Sequence, residues 1–222
     1  MSLGVKNIKL ALVNKNGQVL TGANGIYKYT DQAATDKTGV FTADQDTSYG
    51  IASVALSGLS GATTPVYGSD EVVFTSTGKG TPSSVLTINA LPNEIKQAVL
   101  GHTADGKGGF GIAGKADSNN RVAFLVESRE TFDEDAPIYI GMYAGIASQA
   151  AVTMTSNNAA DNRAFDAITV AGQERPGAGF GKYWFSSAKS FDSAAMMSDI
   201  FKTPATAPTA PAPAPTAPKT GQ

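Results

Sequence analysis

Between residues 138 and 146 the chain reads IYIGMYAGI, with an apolar residue at every second position. A period of two assigns a strand, because successive side chains point to opposite faces of a sheet. Ile138, Ile140, Met142, Ala144 and Ile146 fall on one face, and Tyr139, Gly141, Tyr143 and Gly145 on the other. Similar readings follow for NIKLALV (7–13), EVVFTST (71–77), SVLTINAL (84–91), RVAFLVES (121–128), AVTMTSN (151–157), AFDAITVA (164–171) and KYWFSS (182–187), several rich in β-branched or aromatic residues. No helices alternate with these strands as βαβ units require, so the expectation is a mainly β fold with antiparallel pairing.

Turn and cap residues add detail. NIKLALV, NKNG and QVL read as a hairpin in which Asn16 and Gly17 supply the positive φ angles of a tight turn. LPNEIKQAVLGH reads as a helix with Pro92 at its first position, Glu94 in its first turn, Gly101 as left-handed cap, and Ile95, Ala98 and Val99 as its apolar stripe. A second helix is expected over 190–201, capped by Ser190 or Asp192 and packing through Met196, Met197, Ile200 and Phe201. Residues 22–70 hold many Gly, Thr, Ser and Asp with few strong strands, and a stretch that long is functional or ordered by a partner; subunit contacts are expected there. Residues 203–222 contain six prolines and no large apolar residue, so they read as an extended spacer or tail following a domain over 1–202. Flanking basic residues suited to an SH3-type ligand are missing from that tail.

Composition narrows the chemistry. The chain has 222 residues, of which 41% are hydrophobic, enough to build a core. It has no cysteine and one histidine, His102, so thiolate sites are excluded and a histidine triad or multi-histidine zinc site has nothing to assemble from. Seventeen basic against nineteen acidic residues leave a formal charge of −2 without a basic block, which argues against tight nucleic-acid binding. Only 16% of residues are charged, against about 25% in ordinary soluble proteins, and such a surface suits permanent contact with other protein. The amino terminus has lysines within its apolar stretch and lacks a small-residue cleavage site, so no secretory signal is expected. No apolar run approaches the roughly 20 residues of a membrane helix, and a soluble protein is expected.

Four features invite a functional reading, and each has a plainer one. Gly109, Gly114 and Lys115 satisfy G-x-x-x-x-G-K, but Ala116 stands where the magnesium-binding hydroxyl belongs, and no strand precedes or helix follows; a Gly-rich connection is expected. His102 follows the capping glycine, where it can meet the last free carbonyls of the helix. Glu127, Glu130, Asp133, Glu134 and Asp135 could serve glycoside hydrolysis or bind calcium, yet they lack EF-hand order and read as a solvated or rim-facing turn. Tyr183, Trp184 and Phe185 alternate across a strand, so they cannot form one stacking platform; core packing plus an interface is expected. No catalytic, cofactor-binding or metal-ligating residue is assigned.

Four stretches in order, GVKNIKLALV, LPNEIKQAVLGH, VAFLVESRE leading into YIGMYAGI, and GKYWFSSAKSFDSAAMMSDIF, resemble the major tail (tail tube) proteins of long-tailed bacteriophages with non-contractile tails, in particular the phi13-type family. The resemblance spans roughly residues 4–201 and departs from the family pattern in the 22–70 segment and the Pro-rich tail. It implies an antiparallel β-sandwich or barrel-like core with one flanking helix and long loops. It also implies a structural virion protein, not an enzyme and needing no cofactor, whose hexameric rings stack into a tube in the host cytoplasm. The partners it implies are further copies of the chain, a tape measure protein and tail terminator and distal tail proteins, with genomic DNA passing through a lumen it does not bind tightly. In this family the carboxy-terminal end can carry an added surface domain. A capsid-decoration or receptor-binding module is the alternative, distinguished by a monomeric or trimeric state; a carboxylate-based glycosidase using Glu127 with Glu130 or Asp133 comes third.

Overall fold

The computed structural model describes residues 2–112, 114, 117, 119–131, 136–154, 156 and 164–202. Its strands are β1 (Ser2–Val13), β2 (Val40–Ala43), β3 (Ile51–Ser57), β4 (Thr63–Gly68), β5 (Glu71–Thr77), β6 (Ser83–Ile88), β7 (Arg121–Glu130), β8 (Ala136–Ser148), β9 (Asp166–Gly172) and β10 (Gly181–Phe185). The helices are α1 (Gln45–Ser48), α2 (Asn93–Leu100) and α3 (Ser193–Ile200), and short 3-10 turns occupy Gly22–Asn24 and Asp31–Ala34.

Eight strands share one antiparallel sheet in the order β2-β1-β7-β8-β9-β6-β3, with β10 also paired to β8. The sheet forks at β8: Ile138–Met142 pair with β10, while Gly145–Ser148 pair with β9. The β9-β6-β3 branch folds back until β3 packs against β1. The result is a sandwich whose sheet does not close into a barrel.

Alternation then decides which residues fill the interior. Ile8, Leu10 and Leu12 of β1 and Val122, Phe124 and Val126 of β7 face the sandwich core, with Leu86, Ile88, Ile168 and Val170 opposite them. Helix α2 adds Ile95 and Val99 to this core. The intervening residues Ala11, Val13, Ala123 and Leu125 face the other way and are covered by Met196 and Ile200 of α3. The central strands are therefore buried on both faces. Gly141 lets α3 come close, since a Cβ there would strike Ile200 and Trp184.

A ring of polar contacts fastens α3. Arg175, 5% exposed, lies 3.6 Å above the ring of Tyr143, and its Nη2 donates to Asp199 Oδ1 at 2.7 Å. The Tyr143 hydroxyl donates to Asp199 Oδ2 at 2.9 Å. Burial first, then this bond to a carboxylate, pushes the Tyr143 hydroxyl up to about 12.

Several expectations are revised. In β8 the predicted faces hold up to Met142 and Tyr143, then a bulge places Tyr143 and Ala144 opposite Ala123. Ala144 consequently joins Tyr143 in the α3-side core, and Ala147 takes up the sandwich side. No strand forms among the described residues of 151–157, where Val152 is 54% and Met154 83% exposed. In the first turn only Gly17 has a positive φ, and Asn14 Oδ1 accepts from the backbone of Asn16 and Gln18. That hairpin returns through one bridge, Val13 to Val19. The 22–70 segment holds three strands, β2, β3 and β4, that its small polar residues had hidden. Both expected helices form, with Pro92 as the N-cap of α2 and not its first helical residue, and Asp192 as the cap of α3; α1 is an addition.

Candidate assembly surface

β4 and β5 stand apart as a two-stranded sheet. Each residue of β5 is exposed, as is each of β4 up to Tyr67. Ser69 (φ 52°) and Asp70 (φ 66°) form the turn, two consecutive left-handed residues whose twist matches that of the strands. At the base, a Cβ on Gly61 would collide with the Gly78 backbone, so only glycine lets the two chains close there. Val66 (47% exposed), Tyr67 (66%), Val72 (52%), Val73 (66%) and Phe74 (63%) all face water. Gly68 lies beside Val73, which sets Val66 and Val73 on one face and the paired Tyr67 and Val72 on the other. An arm apolar on both faces has no core of its own, and an isolated two-stranded hairpin is marginally stable at best.

Backbone phase identifies the arm's open edge. Gly78 N–H donates to Ala62 at 2.8 Å, so by alternation the hydrogen-bonded pairs are Ala62/Gly78, Thr64/Ser76 and Val66/Phe74. Pro65 and Thr75 face each other at the position between them, where backbone groups point outward. Pro65 brings no N–H to the outer edge of β4, whereas Thr75 presents both of its groups on β5.

The other edges differ in the same way. On β2 the carbonyls of Val40 and Thr42 accept from the hydroxyls of Tyr27 (3.2 Å) and Thr47 (2.7 Å), which occupies that edge strand from within. β10 has no partner on its outer side among the described residues. Tyr143 N–H donates to Phe180 and Ser186 N–H to Pro137, so the groups of Gly181, Tyr183 and Phe185 point outward along β10. A groove of about 590 Å³ runs between β10 and α3, and the four consecutive residues 182–185 line it. At the fork, Leu56, Leu59, Met142, Phe180 and Tyr183 line an apolar pocket of about 270 Å³.

Exposed strand edges and an uncovered arm are the equipment of a chain that assembles. Compared with protein families, residues 1–209 match the phage tail tube protein family. The chain belongs to that family. A search among curated proteins returned no match.

The tail tube chain places the other candidate residues as follows. Gly109 N–H donates to Asp105 Oδ1 at 2.9 Å, and Lys107 N–H does so at 2.7 Å, so the Gly-rich loop cradles its own carboxylate. Those two bonds hold the Asp105 carboxyl below its usual range. Lys115 and Ala116 lie outside the described residues. His102 Nδ1 meets the Gln97 side chain, and the carbonyls of Ala98 and Val99 are taken by Asn120 Nδ2 at 3.1 and 2.7 Å, the role expected of His102.

Glu127 is not in a solvated turn. It lies within β7, 8% exposed, where Asn7 Nδ2 donates to it at 2.8 Å and Lys6 Nζ approaches to 3.0 Å. Its charge helps burial raise the Tyr139 hydroxyl above its ordinary value. Glu130 closes the same strand, and Asp133, Glu134 and Asp135 lie outside the described residues. No group of three or more His, Cys, Asp or Glu suited to a metal occurs among the described residues. Trp184 packs toward α3, while Tyr183 and Phe185, each 47% exposed, face the other side, as alternation requires. Sequence reasoning missed β4; its one signal was Gly68-Ser69-Asp70 set between Val66-Tyr67 and Val72-Val73-Phe74.

Proposed function

We propose that this chain self-assembles into hexameric rings that stack into the hollow tail tube through which phage DNA enters the host. The observation that carries the reading is the arm, an uncovered hairpin beside open sheet edges in a chain of the tail tube family. Assembly by strand edges covers apolar surface and satisfies unpaired backbone groups together. A ring needs two different surfaces that meet head to tail and close.

The electrostatics fit conduction. A net charge of −2 with no basic block lets polyphosphate slide by without the counterion-releasing contacts that would hold it. The function is geometric and involves no bond made or broken. Tape measure, terminator and distal tail proteins are the partners of such a tube, which is built in the host cytoplasm and carried in the virion tail. Residues 203–222 lie outside the described residues; by composition they serve as a spacer or tail following a domain that spans 1–202.

Negative-stain electron microscopy of the concentrated protein, with light scattering for mass, tests the reading. Sixfold rings or hollow filaments are expected; a uniform trimer bound to capsid would establish the decoration module in its place.

A further inference from the structure

Resting on that self-assembly reading, we propose that the arm of one copy docks on a second copy of this chain, the outer edge of β5 adding as a strand to the free edge of β10 beneath α3. Three observations converge on this pairing. First, the arm's edges are unequal: Pro65 takes one outward N–H from the middle of the β4 side, while Thr75 opposite it presents both its N–H and its carbonyl on the β5 side. Second, the receiving edge is shaped for a strand. Four consecutive residues of β10 line the groove under α3, so the groove follows the backbone and is not confined to one face, and backbone is met by backbone in strand addition. Third, both faces match. The arm is apolar above and below its plane, and β10 is flanked on one face by the fork pocket and on the other by Trp184, Phe191 and Met196.

Within one chain the two edges are not paired with each other, since β5 pairs with β4 alone among the described residues. The occupant is therefore a second copy. β2 is the poorer acceptor because Tyr27 and Thr47 occupy its carbonyls, and β3 offers mainly Ala52, Ser53, Ala55 and Ser57 outward. Tyr183 and Phe185 give β10 the aromatic partners that Val72, Val73 and Phe74 pack against.

The test uses full-length chain and mass by light scattering. Thr75→Pro removes the outward N–H of β5 without breaking a hydrogen bond inside the arm, and Tyr183→Pro does the same on β10; Thr75→Val keeps the N–H as control. Each proline variant, shown folded by circular dichroism, is expected to lose ring formation, and Thr75→Val to retain it. An equimolar mixture is expected to give a dimer, twice the monomer mass, because the Tyr183→Pro copy still has its arm and the Thr75→Pro copy its acceptor edge. Should either proline variant not fold, a Thr75→Cys, Tyr183→Cys chain replaces it. The native chain has no cysteine, so oxidation should yield copies linked only through that pair. Rings formed by Thr75→Pro, or absence of the inter-copy disulfide in assembled protein, overturn the pairing while leaving self-assembly standing. Wild-type chain that never assembles overturns both.

Discussion

Tyr143→Phe isolates one bond in the clamp that holds α3 on the sheet. The substitution keeps the ring under Arg175 at 3.6 Å and removes only the hydroxyl that donates to Asp199 Oδ2 at 2.9 Å. A hydrogen bond to a charged acceptor contributes about 1.5–3 kcal/mol net. Asp199 retains Arg175 at 2.7 Å and its side chain is 32% exposed, so water can replace part of the loss. The expected destabilisation at neutral pH is about 1–2 kcal/mol, a fall in Tm of roughly 2–8 °C for a domain of this size.

The pH dependence makes the prediction specific. With its pKa pushed up from 10.0 to about 12, the native Tyr143 keeps its proton while the unfolded chain has released it. The native state then binds more protons, so the contribution of Tyr143, fully present below pH 10, is lost as pH rises toward 12. Two pKa steps correspond to about 2–3 kcal/mol, enough to close the gap between the parent and Tyr143→Phe. Other tyrosines titrate in both proteins and cancel. Unfolding of unassembled chain in urea, followed by circular dichroism from pH 7.5 to 11.5, measures that gap. A difference that stays constant from pH 9.5 to 11.5 would refute a buried Tyr143 hydroxyl that keeps its proton beside Asp199.

Phe124→Ala removes a ring with no exposed surface from the centre of the sandwich and is expected to cost about 3–5 kcal/mol in urea unfolding. Asn120→Ala removes the side-chain donor that reaches the Ala98 and Val99 carbonyls, leaving Val99 without it while Ala98 still accepts from Gly101 N–H, an expected loss of about 1–2 kcal/mol, whereas His102→Ala, whose side chain touches neither carbonyl, should cost less in the same assay. Replacing Glu130 and Asp133 with their amides is expected to leave tube formation intact by electron microscopy, since the function proposed uses no acid–base pair.

The central strands could be read because their burial is written in alternation: Ile8, Leu10 and Leu12 against Ala11 and Val13, or Val122, Phe124 and Val126 against Ala123 and Leu125. The Pro92 and Asp192 helices were equally legible, since caps are local chemistry. What escaped depends on distant partners. The one-residue bulge at Tyr143 and Ala144 exists only relative to Ala123. Asn120 caps a helix some twenty residues earlier in the chain, and Arg175 clamps Asp199 across a spacing of 24 residues. Conversely, AVTMTSN has strand composition but forms no strand among its described residues, where Val152 and Met154 stay exposed, since β propensity is realised only when a strand packs against neighbours. The arm was legible only in part: EVVFTST read as a strand and became β5, but its partner β4 lay inside the weakly patterned 22–70 segment, since a strand exposed on both faces carries no alternation of burial.

The asymmetry of the arm bears on why such a chain should make a bounded ring and not an open-ended sheet. A hairpin with two open edges accepts strands on both sides and can propagate pairing without limit. Pro65 removes an N–H from the middle of the β4 edge, so in the proposed pairing β5 is the side that takes a partner. The hydroxyls of Tyr27 and Thr47 occupy the β2 edge in the same spirit. In the proposed pairing each copy has one donor edge and one acceptor edge and makes two contacts, and a head-to-tail chain of such contacts closes when the rotation between copies divides the circle. Substituting Pro65 with threonine should therefore add an N–H to the blocked edge and shift assembly from uniform rings toward heterogeneous, sheet-like aggregates.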